Sequence, residues 1–187
     1  MPTYTRNGSN FGVASKTGTG NNWTNEGNIL ADDATNASSA YATQYLVASS
    51  PNENWLVGPP GGGENPTGNA TLASLTIEVQ TSVIVGGTGT MELYQNGSLV
   101  STKTYSLTGG GSSQSQTWNG DATYWGLTIT DIFSLSAISV QFKASGGSGT
   151  VQCDFIGCSY SISQEYTSGG GSGRRRAVYV AKNNPDN

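Results

Sequence analysis

Two segments that read as strands each carry a carboxylate able to do chemistry: Glu78 in the Leu75–Gln80 run and Glu92 in Met91–Tyr94. On adjacent strands they would face each other as the acid pair that glycoside hydrolysis needs at a set separation. Both fall on the polar side of alternating segments, which favours solvent exposure over catalysis. Asp32, Asp33, Asp121, Asp131 and Asp154 supply oxygens of the kind Ca²⁺ takes, but without EF-hand spacing. Asn119-Gly120-Asp121 reads more simply as a turn. The chain has no histidine, so an imidazole base, a Ser-His-Asp nucleophile and a Cys/His zinc site are excluded. No cofactor and no metal is expected. Cys153 and Cys158 stand five apart. On one straight strand they point to opposite faces, so two buried free thiols are expected rather than a disulfide. Trp23, Trp55, Trp118 and Trp125 are candidate aromatics for stacking on sugar rings or for an interface. Their strand-like surroundings favour core or subunit contact, with Trp55, beside a Pro/Gly loop, the best placed for exposure. Asn-x-Ser/Thr triplets at Asn7, Asn22, Asn36, Asn69 and Asn96 are what an Asn-, Ser- and Thr-rich chain produces by chance.

The elements that must carry these residues are β-strands. Charged residues make up only 11% of the 187, against about 25% in an ordinary soluble domain, and glycine occurs 27 times. Thr, Val, Ile and Tyr favour strands, and Gly, Asn and Ser punctuate turns. The fold class is therefore all-β: an antiparallel two-sheet sandwich, jelly-roll-like, with extended terminal arms and about eight to ten strands. The clearest period-2 signal is Leu75, Ile77 and Val79 alternating with Thr76, Glu78 and Gln80. Gln95-Asn96-Gly97-Ser98 between Met91–Tyr94 and Leu99–Tyr105 predicts a tight hairpin. Tyr41–Val47 reads as a strand with Tyr41, Thr43 and Tyr45 on one face. Ile138, Val140 and Phe142 point inward from another.

Three parts are expected: residues 1–22 as an arm or edge strand, 23–163 as the sandwich, and 164–187 as a Gly-rich linker and basic C-terminal strand or tail. In that last part Arg174, Arg175, Arg176, Val178, Tyr179 and Val180 form a candidate interface arm. No run of about 20 apolar residues spans a membrane, and no signal peptide is read at the start. A net charge of −4 disfavours nucleic acid as a partner.

Asn22-Trp23-Thr24-Asn25, Ala31-Asp32-Asp33, the Leu75–Val79 strand, Trp125-Gly126 and Cys153-Asp154-Phe155-Ile156 follow in an order that resembles β-sandwich structural proteins of tailed-bacteriophage particles. The likeness covers about residues 22–162. It departs from the pattern at Ser74, where such chains have glycine, and at Asn54–Gly58. It implies a non-enzymatic virion subunit, most simply a capsid decoration protein, made in the host cytoplasm. The partners would be further copies of itself, with a trimer expected, and a major capsid or tail protein. The alternative is a carbohydrate-binding or host-recognition module of a tail or fibre, with glycan as the partner.

Overall fold

The computed structural model describes residues 3–51 and 65–167. The chain is an all-β, two-sheet antiparallel sandwich of jelly-roll-like form, and all pairings between the described strands are antiparallel. One sheet has the order β1 (Thr3–Ser9), β11 (Thr150–Thr167), β6 (Thr71–Val83), β9 (Ser113–Gly120). The short β3 (Ala37–Ala40) and β5 (Asn65–Pro66) pair with β11 as well, making six strands. The second sheet runs β2 (Phe11–Thr17), β4 (Tyr45–Pro51), β10 (Ile138–Ser145), β7 (Gly87–Gln95), β8 (Ser98–Leu107).

Short crossings carry the chain between the layers. Asn10, at φ 61, takes it from β1 to β2. So the first 22 residues supply an edge strand to each sheet. The β7–β8 hairpin turns at Asn96 (φ 51) and Gly97 (φ 77), the left-handed pair that a type I′ turn requires.

Alternation along the strands fills the space between the sheets. Leu75, Ile77 and Val79 from one layer meet Ile138, Val140 and Phe142 from the other, all 1% exposed or less. Trp23 and Trp125 close the core and are wholly buried. Each satisfies its indole N–H on a backbone carbonyl, Trp23 on Gln44 at 2.7 Å and Trp125 on Leu75 at 2.9 Å. Trp125 sits in α1 (Ala122–Trp125), a single turn whose first N–H groups are capped by Asp121 and which ends at left-handed Gly126.

Two expected elements differ. The strand expected at Tyr41–Val47 begins only at Tyr45, because Ala42 takes φ 58 and breaks the extended run. Tyr41 and Thr43 therefore turn into the protein, while Tyr45 stands on the outer face. In β11 the register shifts between Cys153 and Phe155. That bulge restores the phase, so Cys153 and Cys158 both face the core instead of opposite sides. Both are free thiols.

Candidate functional site

The Glu78–Glu92 pair does not form. Glu78 lies on β6 in the six-stranded sheet and Glu92 on β7 in the other, and each points outward on its own side. Glu78 accepts from Ser115 Oγ at 2.6 Å and from Gln80 Nε2 at 3.1 Å. It edges a shallow hollow of about 150 Å³ above Gly157, walled by Phe155. Asp32, Asp33 and Asp154 are near one another, and Gln80 donates to Asp32 at 3.2 Å. Asp121 caps α1, and Asp131 accepts from the backbone of Phe133 within its own turn. Among the described residues no group of three or more Cys, Asp or Glu is placed to hold a metal ion.

The tryptophans divide. Trp23 and Trp125 present no face to a ligand. Trp118 is half-buried, pointing inward from β9 with its ring edge-on to Tyr105 at 5.5 Å. Trp55, Arg174, Arg175, Arg176, Val178, Tyr179 and Val180 lie outside the described residues.

The most organised polar constellation is on the outer face of the five-stranded sheet. The pairing registers set its rows. One row reads Ser15, Val47, Gln141, Glu92, Thr102 across β2, β4, β10, β7 and β8. The next reads Val13, Ser49, Ser139, Tyr94, Leu99. Glu92 is the one acid among the residues of these five strands. Both its oxygens are held: Tyr45 donates to Oε1 at 2.8 Å, reaching across β10, and Tyr94 donates to Oε2 at 2.8 Å. Lys143 lies over the Tyr45 ring, 4.5 Å from its centre, a cation–π contact that fixes the ring from above. The Tyr94 phenol is pushed up to about 12, first by desolvation and then by its hydrogen bond to Glu92 and that carboxylate's charge. It therefore remains a donor throughout the neutral range. Leu99, beside Tyr94 on the neighbouring strand, is half exposed and extends the apolar part of the platform.

Sequence reasoning reached Glu92 but not its partners. Tyr45 lies 47 residues from Glu92 and touches it only because β10 brings β4 and β7 into one sheet. A period-2 reading that placed Tyr45 and Tyr94 on the solvent side of their strands was the signal available. The break at Ala42 obscured it for Tyr45.

Neither a family model nor a curated protein matches the chain. A solved structure described as "CBM4 structure and function" aligns with a TM-score of 0.41 and 11% identity, over 68% of this chain and 72% of that one. A likeness of that size establishes neither family nor function. The expected kinship with phage-particle proteins is corrected here: the solved structure that aligns is described as CBM4 and not as a virion component. The capsid-decoration reading and its capsid or tail partner are set aside with it. The residues that carried the resemblance have structural work instead. Trp23 and Trp125 plug the core, Leu75–Val79 is a central strand, and Asp33 turns the chain by accepting from Thr35 N at 3.0 Å. Such a pattern reports how a sandwich packs, not where it is used.

Proposed function

We propose that the outer face of the five-stranded sheet is a carbohydrate-binding surface. The observation that carries this reading is the Tyr45–Glu92–Tyr94 clamp, in which two phenols fix one carboxylate on an open sheet face. A sugar presents neighbouring hydroxyls and an apolar C–H face. A held carboxylate still has free lone pairs to accept from such hydroxyls. Gln141, level with Glu92 on β10, adds a donor and an acceptor in the same row. The Tyr94 ring and Leu99 offer apolar surface beside them. Because these side chains are already held, little rotamer freedom is lost when a ligand arrives. A single carboxylate suits holding a glycan better than cleaving one.

Affinity electrophoresis through gels containing soluble polysaccharides tests the reading, followed by calorimetry with the oligosaccharide that retards the protein. Wild type is expected to be retarded by at least one neutral polysaccharide. Glu92→Ala and Tyr94→Ala should each weaken binding about tenfold or more, while Glu78→Ala on the opposite face leaves it unchanged. Equal retardation of wild type and both face variants by every retarding polysaccharide would overturn the proposal, as would no retardation of wild type across the panel.

A further inference from the structure

Among the described residues the six-stranded sheet ends in an open edge. β9 pairs with β6 on one side, and no strand among the described residues lies beyond it on the other. Its sequence, Ser-Gln-Ser-Gln-Thr-Trp-Asn-Gly, holds no charge and no proline, the two usual means by which an edge refuses another strand. The neighbouring open edge, β8, is guarded by Lys103. Just past the last described residue the chain continues as Ser168–Gly173, then Arg174-Arg175-Arg176-Ala177-Val178-Tyr179-Val180-Ala181, whose Val-Tyr-Val run is made of strand-favouring residues.

We propose that the segment Ala177–Ala181 adds to the β9 edge of its own molecule as an antiparallel strand. Direction decides between the two edges of this sheet. β11 and β9 both pair antiparallel with β6, so they run the same way. A chain leaving Thr167 and doubling back runs antiparallel to β9 but parallel to β1, the opposite edge, and antiparallel pairing is the more stable. Reach is sufficient. Gly120 is level with Leu75 and so with Tyr160, seven residues short of Thr167. That offset is about 23 Å along the strands, and three strand spacings add about 14 Å sideways. The diagonal is about 27 Å, and the ten residues from Thr167 to Ala177 extend to about 33 Å.

Charge agrees with this docking. Of the four described basic residues, Lys16, Lys103 and Lys143 are on the other sheet and Arg6 is buried. The exposed acid Asp121, just past the end of β9, lies at the end of the edge to which the linker would bring the three arginines. With Ala177 level with Gly120, Tyr179 falls opposite Trp118 and covers that half-buried ring, while Val178 and Val180 lie on the outer face.

Amide hydrogen exchange on the full chain tests this, read at Ser113–Gly120 in wild type and in a Val178→Pro, Val180→Asp double variant. Both should be monomers by sedimentation. Alternate β9 amides should exchange at least tenfold more slowly in wild type, and that protection should be lost in the variant. Ile77 and Val79 amides should be equally protected in both, showing an intact fold. Equal β9 exchange in the two proteins would overturn the proposal. Protection that grows with protein concentration would also overturn it, since that is a strand supplied by another copy.

Discussion

Asp154 is a residue whose charge the fold disfavours. It occupies the bulge of β11, and burial raises its pKa, with the charges of Asp32 and Asp33 adding to the shift. A carboxylate whose folded pKa is raised binds its proton more tightly in the folded state than in the unfolded chain. Its contribution to stability is therefore greatest in acid and declines as pH rises through the window between the two pKa values. Above that window Asp154 costs stability, so Asp154→Asn is expected to raise the urea midpoint at pH 7 and to lose that advantage towards pH 3. A variant less stable than wild type at pH 7 would contradict this. The Tyr94 phenol is also raised, but to about 12, and it leaves binding at neutral pH untouched.

At the scale of elements, the bulge that seats Asp154 also decides the chemistry of the thiols. By placing Cys153 and Cys158 in the core it removes both from solvent, and burial pushes the Cys158 thiol up to about 12 and Cys153 higher still. Neither should react with a thiol reagent in the native protein at pH 8. Both should react in denaturant without reductant, as measured by mass, and an intact disulfide would refute the assignment. The sequence showed that these thiols are free, but for a different geometric reason, because a one-residue register shift leaves no local mark that alternation can find. The strands themselves were legible where period 2 was clean, as in Leu75–Val79 and Ile138–Phe142, and where Asn96-Gly97 dictated the turn. Ala42 was not legible as a break, since alanine carries no signal for a left-handed φ. The Tyr45–Glu92–Tyr94 constellation was hidden for a third reason. It is made by three strands whose order in the sheet, β4-β10-β7, is not their order in the chain.

For the whole molecule, the sandwich separates two outer faces of unlike character. The six-stranded sheet carries the acids Glu78, Asp154 and Glu165, with Arg6 turned inward, where it donates to Ile132 O at 3.2 Å and lies 4.7 Å from the centre of the Phe133 ring. The five-stranded sheet carries Glu92 between two tyrosines, with Gln141 and Lys143 alongside. Most of the large hydrophobic residues fill the space between the sheets, which leaves each outer face free to differ. The central claim is that ligand binding belongs to one of these faces. Its most direct test is an amide chemical-shift titration of the intact chain with the oligosaccharide found by affinity electrophoresis. Shifts are expected to cluster at Tyr45, Glu92, Tyr94, Leu99 and Gln141 and to leave Glu78, Ser115 and Phe155 unmoved. Shifts centred on the hollow above Gly157, with the Tyr45–Glu92–Tyr94 face silent, would contradict it.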